Sequence, residues 1–196
     1  MFNNLLQFLN RYFPIEGEDY EALLKKVEVR EFNKKTKLID IGETEQYMNY
    51  VFKGLLRIYF FKEKEEVITH IIKEGGIFSS SNSFFSGTPS KYIVETIEPV
   101  TILSISKKNL EELFSSGKKW ERMGRTLVTN YFIVQEYRLL DNIRFSTKER
   151  FVRFMNENPD LLLRVPQKYL ASYLNIKPET FSRMKQLMKD SSYSIS

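Results

Sequence analysis

The chain has 196 residues, with 30 Lys and Arg against 25 Asp and Glu, one histidine and no cysteine. Zero cysteine excludes a disulfide framework, a thiolate metal site, a Cys-ligated iron–sulfur cluster and a Cys nucleophile, and a single histidine excludes a multi-histidine metal site. At 42% hydrophobic and 28% charged residues the chain can bury a core, and its formal charge of +5 permits a nucleic-acid partner without requiring one.

The N-terminus, MFNNLLQFLNRYF, lacks the basic start and apolar core of a signal peptide. No apolar run approaches the roughly 18 residues of a membrane span, so a soluble cytoplasmic protein with no membrane partner is expected. Periodicity predicts a short amphipathic helix over residues 3–13, carrying Leu5, Leu6, Phe8 and Leu9 and stopped by Pro14. A second helix is predicted over 18–27, with Tyr20, Leu23, Leu24 and Val27 on one side. The texture then changes. Alternating, β-branched and aromatic segments at 27–32, 37–41, 50–52, 55–61, 67–72, 92–97 and 101–105 read as strands. Gly42, Gly54, Gly75, Gly76, Gly87, Pro89 and Pro99 punctuate them, which argues for an all-β sandwich or barrel.

From Ser106 the pattern is helical. A helix with Leu110, Leu113 and Phe114 ends at Gly117, and a long one without proline is predicted over 118–142. Two apolar faces can be written on the long helix: Trp120, Met123, Leu127, Tyr131 and Val134, and then Val128, Phe132 and Leu139 with Gln135 between them. Two faces need two packing partners. One is the preceding barrel; the other is a further domain or a second copy of the chain. We expect a homodimer interface at Trp120, Met123, Leu127, Tyr131 and Val134; a helix buried inside one domain is the alternative. Ser146-Thr147-Lys148-Glu149 is a capping box before the apolar Phe151, Val152, Phe154 and Met155, and starts a new unit. The expected domains are residues 1–117, a dimerisation helix at 118–145, and 146–196, with a frayed tail at 191–196.

Residues 146–190 hold nine Lys or Arg against five Asp or Glu, so the basic excess lies almost wholly in the last quarter. The segment 167–187 there fits a helix–turn–helix. Leu170, Leu174, Ile176, Phe181 and Met184 are the apolar positions that hold two crossed helices, and Ala171 is small where the second helix approaches. Asn175 falls at the turn and tolerates a left-handed backbone. Pro178 suits the first turn of the second helix, and Glu179 complements its dipole. Glu179 and Arg183 are the candidate base-reading residues; Gln167, Lys168, Lys177, Thr180, Ser182 and Lys185 are candidates for the DNA backbone. A generic helical hairpin on a solvated basic surface is the plain alternative.

These residues resemble the Crp/Fnr family of bacterial transcription regulators over nearly the whole length. The matching pieces are Leu38-Ile39-Asp40-Ile41-Gly42-Glu43, Tyr50-Val51-Phe52-Lys53-Gly54-Leu55-Leu56-Arg57-Ile58-Tyr59, and Gly76-Ile77-Phe78 leading to Ser90-Lys91-Tyr92. Pro178-Glu179-Thr180-Phe181-Ser182-Arg183 resembles the recognition-helix motif R-E-T-[VL]-[GS]-R, with Pro178 in place of its first Arg. The β-roll style and the Pro-Glu-Thr start resemble the Bacteroidetes branch. The resemblance implies an α+β fold: a double-stranded β-helix or jelly roll of cyclic-nucleotide-binding type, a dimerisation helix, and a C-terminal winged helix–turn–helix with a reduced wing. It also implies double-stranded DNA with a near-palindromic site as partner, RNA polymerase as a further partner, and a small-molecule effector whose pocket includes Ser80, Ser81, Asn82, Lys91 and Tyr92. Two departures stand out. Cyclic-AMP-responsive members carry G-E-L then R-S, where Ser80-Ser81-Asn82 and Lys91-Tyr92 stand here. The ribose carboxylate is missing, and a Lys does not replace a bidentate Arg, so cyclic AMP is not expected. Only seven residues follow Lys189, too few for a β-hairpin wing, unless residues 161–165 take that role.

No catalytic constellation and no cofactor are expected. A cupin-like metal enzyme needs several histidines, and His70 follows Thr69 in an apolar strand as a packed residue. A small-ligand sensor acting on a protein partner is the remaining alternative function.

Overall fold

Both the β-rich first half and the helical second half are present in the computed structural model, which describes residues 1–190. Helices α1 (Phe2–Asn10) and α2 (Glu18–Leu24) lead into strands β1 (Val27–Phe32), β2 (Lys37–Ile39), β3 (Tyr47–Lys53), β4 (Leu56–Lys62), β5 (Glu65–Ile72) and β6 (Ile77–Phe78). Helix α3 (Ser81–Ser86) separates these from β7 (Ile93–Thr96) and β8 (Val100–Ser106). Six helices complete the described chain: α4 (Lys107–Ser116), α5 (Lys118–Arg144), α6 (Thr147–Glu157), α7 (Leu161–Arg164), α8 (Gln167–Tyr173) and α9 (Pro178–Asp190). This is the expected α+β class.

The strands form two four-stranded sheets, ordered β1-β8-β3-β6 and β2-β7-β4-β5. In the first, β8 lies antiparallel to β1, with Val27 opposite Ile105 and Phe32 opposite Val100, and antiparallel to β3 on its other side. One core fills the space between the sheets. Val51, Phe78, Val100 and Ile102 come from the first sheet, and Ile39, Leu56, Ile58 and Val94 from the second. The period-two alternation of strands puts Tyr50 and Leu103, neighbours of Val51 and Ile102, on the opposite face. There they meet Leu5, Leu9, Ile15, Leu23, Leu113, Trp120 and Met123 in a second core. Gly54 (φ 102°) is the residue the β3–β4 turn requires: a Cβ there would lie 2.4 Å from the Pro99 carbonyl oxygen.

The described residues group into two units. One joins Met1–Phe60 to Thr69–Phe132; the other joins Phe61–Ile68 to the chain from Ile133 onward. The division falls inside α5. In the first unit, Gly124 on α5 faces the Phe114 ring, which a Cβ would meet at 2.7 Å.

The expected dimer face needs a correction. Trp120 and Met123 are each 4% exposed and belong to the core beneath the first sheet, with Leu127 half-buried against it. Burying such side chains stabilises the protomer by about 1.5–3 kcal/mol each, so they serve its own fold. Of the five residues only Tyr131 and Val134 are exposed. The apolar residues α5 leaves open are Val128, Tyr131, Phe132, Val134, Tyr137, Leu139 and Ile143, among others.

In the second unit α6 opens with the predicted capping box. The Ser146 hydroxyl accepts from the Glu149 N–H, and the Glu149 carboxylate accepts from the Ser146 N–H at 2.8 Å. Phe151 and Phe181 meet edge to face at 5.1 Å between ring centroids, among buried Leu161, Val165, Leu170 and Ala171. Residues 161–165 cannot substitute for a wing strand. Leu161–Arg164 is a helical turn, because Leu161 and Val165, one turn apart, both point into this core. The tail at 191–196 lies outside the described residues.

Candidate nucleic-acid interface and effector pocket

The turn between α8 and α9 is built by backbone hydrogen bonds. The Asn175 N–H donates to the Ser172 carbonyl, and the Ile176 N–H donates to the Ala171 carbonyl, each at 3.0 Å. That is the pattern of a Schellman motif, which needs a left-handed residue after the helix end; Asn175 supplies it at φ 56°. The helix ends there, and α9 begins at Pro178, whose missing N–H is one that a first helical turn leaves unbonded anyway. Phe181 is fully buried and Met184 half-buried, which fixes the rotation of α9.

That rotation decides which side chains are available. Lys177, Glu179, Ser182, Arg183 and Gln186 are exposed, and Thr180 and Lys185 are half-buried. Arg183 and Glu179, four residues apart, form no ion pair with each other. On α8, Lys168 is exposed, with its Nζ 5.2 Å from the Tyr169 ring centroid. The Gln167 amide donates to the Ser182 hydroxyl at 2.5 Å, tying the start of α8 to the middle of α9. The structure therefore brings Gln167 and Ser182 together and leaves Glu179 and Arg183 outward on one face. Gln186 lies on that face and sequence reasoning missed it, although its spacing of three from Arg183 and seven from Glu179 could have found it.

The candidate effector residues differ in burial, and Ser90 links two of them: its hydroxyl lies 2.7 Å from the Ser80 hydroxyl and accepts from the Tyr92 N–H at 3.1 Å. Ser80 is buried and Ser81 half-buried, whereas Asn82, Lys91 and Tyr92 are exposed. Tyr92 packs edge-on to Phe60 at 6.1 Å. What surrounds Ser80 is a buried polar cluster of Glu45, Ser83 and Ser90. The Ser80 N–H donates to the Glu45 carboxylate at 3.3 Å, whose other oxygen accepts from the Gln46 and Tyr47 N–H groups. The Glu45 N–H donates to the Ser83 hydroxyl at 2.9 Å. Burial pushes the Glu45 carboxyl above its ordinary range, against the pull of these N–H donors and of Arg30. Among the described residues no Lys or Arg side chain hydrogen-bonds to this carboxylate. The buried Ser79 hydroxyl has no hydrogen-bond partner among the described residues. Glu45, Ser83 and Ser90 were not singled out in the sequence, because the segments joining β2 to β3 and β6 to β7 have no periodicity to mark which side chains turn inward.

His70 is half-buried on β5, with Nδ1 3.1 Å from the Thr69 hydroxyl. Among the described residues no three His, Asp or Glu side chains are placed to share a metal ion. None of their helices is long and apolar enough to cross a membrane.

Residues 29–116 match the family model of the cyclic nucleotide-binding domain. No curated protein sequence matches the chain. Solved structures that share its fold include the following three. FixK2 from Bradyrhizobium japonicum is 18% identical, with a TM-score of 0.70 over 87% of this chain and 89% of its own. A CooA mutant from Carboxydothermus hydrogenoformans is 20% identical, with a TM-score of 0.68 over 95% of this chain and 84% of its own. CLP of Xanthomonas campestris, described as a c-di-GMP-responsive global regulator, is 19% identical, with a TM-score of 0.63 over 87% and 90%.

Proposed function

We propose that the protein is a homodimeric, sequence-specific DNA-binding transcription regulator of the Crp/Fnr type, whose β sandwich is a sensor, or the remnant of one, for an effector other than cyclic AMP. The observation that carries this is α9: a Schellman turn and the buried Phe181 hold it so that Glu179 and Arg183 face outward without pairing with each other. Arg can contact guanine bidentately, and Glu can accept from cytosine N4. Lys168, Lys177 and Lys185 supply positive charge for phosphates. The fold likeness to CLP, named a global regulator, supports the same assignment.

Dimerisation is assigned to the exposed side of α5. Val128, Phe132 and Leu139, with Gln135 between them, follow the four-three-four spacing of a two-helix seam. Ligand or partner input would act by changing the pose of the two DNA-binding units about this seam. The test is retention on generic duplex DNA. Binding at low salt that falls steeply as salt rises, followed by selection of a near-palindromic site, is the expected result. Absence of binding at low salt overturns the proposal. The second reading, a ligand sensor acting on a protein partner, draws on the match of residues 29–116 and requires that absence.

A further inference from the structure

We infer that Gln186 is a base-reading residue of α9 that recognises an adenine in each half-site, beside the base pair met by Arg183. The inference rests on the DNA-binding proposal above and adds to it one residue and one base.

The geometry points there in three ways. At about 100° per residue, Ser182, Gln186 and Arg183 lie at about −60°, −20° and +40° from Glu179, all within one third of the helix circumference. Phe181 and Met184, which anchor α9 to its own unit, lie on other sides, and all four outward residues are exposed. At about 1.5 Å rise per residue, Gln186 stands about 4.5 Å beyond Arg183 along the axis. One base-pair step is about 3.4 Å, so the next pair in the groove is within reach of an extended amide.

The chemistry separates a base from a phosphate. The Gln186 side chain makes no hydrogen bond to any described residue, whereas Gln167 is already engaged with Ser182. A free primary amide presents one donor and one acceptor side by side. That pair matches the N7 acceptor and N6 donor on the major-groove edge of adenine and no other single base. Phosphate contacts near this helix are supplied by lysines at 168, 177 and 185, whose charge suits them, while a neutral amide releases no counterion.

The experiment is binding selection from a randomised duplex library with the wild-type chain, Gln186→Ala and Gln186→Glu, with thermal melts to confirm folding. The wild type is expected to prefer adenine at a position adjacent to the Arg183 pair. Gln186→Ala should lose that preference by about 5- to 150-fold at that position alone, with the salt dependence unchanged. Gln186→Glu, which accepts only, should move the preference there to cytosine. The inference is overturned if either folded variant keeps the wild-type preference at every position, or if Gln186→Ala weakens all sequences equally. A wild-type chain that selects no sequence overturns the DNA-binding proposal itself, and that outcome is seen before any variant is made.

Discussion

The hydroxyl oxygens of Ser80 and Ser90 lie 2.7 Å apart, and their protons can be assigned. Ser90 donates its only proton to the Tyr92 carbonyl at 2.7 Å, so Ser80 is the donor between the two serines. With the Ser80 N–H held by Glu45, this corner of the β sandwich satisfies both serines internally. A ligand entering it would have to break bonds that already exist.

Cyclic AMP is therefore expected not to bind with physiological affinity. Lys91 is exposed and is not a bidentate Arg, so no such clamp for its phosphate stands there. Breaking these bonds to admit a nucleotide would leave the serines unbonded at a desolvation cost. Calorimetry is the measurement; a micromolar or tighter dissociation constant for the 3′,5′-cyclic nucleotide sinks this expectation.

Glu45 also sets a pH dependence. Burial raises its carboxyl above the ordinary carboxylate value, so between those two values the folded chain holds a proton that the unfolded chain has released. Stability contributed by this group is full below the unfolded value and declines as pH rises through the folded one. Glu45→Gln removes the titration but leaves an acceptor for the Gln46 and Tyr47 N–H groups. Urea unfolding across the acidic range should show a decline in the wild type, relative to the variant, as pH rises through that window. Parallel profiles for the two proteins would refute the assignment.

How much of this was legible in the sequence depended on distance along the chain. The α6 capping box, the α8–α9 turn and the left-handed Asn175 are local, and each follows from residues within a few positions of one another. The short helices α3 and α7 were not predicted, because their serine-rich and leucine-only segments carry no amphipathic period. The face of α5 used for the core was also misjudged. Trp120 and Met123 meet Tyr50 and Leu103, and no pattern within the helix says which apolar side such distant strands will take.

The dimer prediction changes accordingly. Phe132→Glu with Leu139→Glu should place charges in the seam and give monomers by sedimentation at micromolar concentration, with the fold retained. Trp120→Ala should instead cost about 3–5 kcal/mol of stability through a cavity in the protomer core, without acting on the seam directly. A wild-type chain that sediments as a monomer at that concentration removes the basis for the seam, and a Trp120→Ala chain as stable as the wild type refutes the core assignment.

The last prediction concerns how the DNA is read. Arg183 and Glu179 share an outward face and do not pair along the helix, which leaves the Arg183 guanidinium able to reach a base. A symmetric dimer should then prefer half-sites one helical turn apart, roughly 34–36 Å. Arg183→Ala should cost about 1–3 kcal/mol on the selected site and relax specificity at one base pair per half-site. Lys185→Ala should weaken all sequences alike and flatten the salt dependence, because a phosphate contact carries charge and no sequence information. Gln167→Ala separates a third effect. It removes the bond to Ser182 that joins α8 to α9, so it should weaken binding while keeping the preferred bases. Binding selection and salt titration with the three variants distinguish these roles. If Arg183→Ala selects the same site with unchanged preference at every position, Arg183 reads no base.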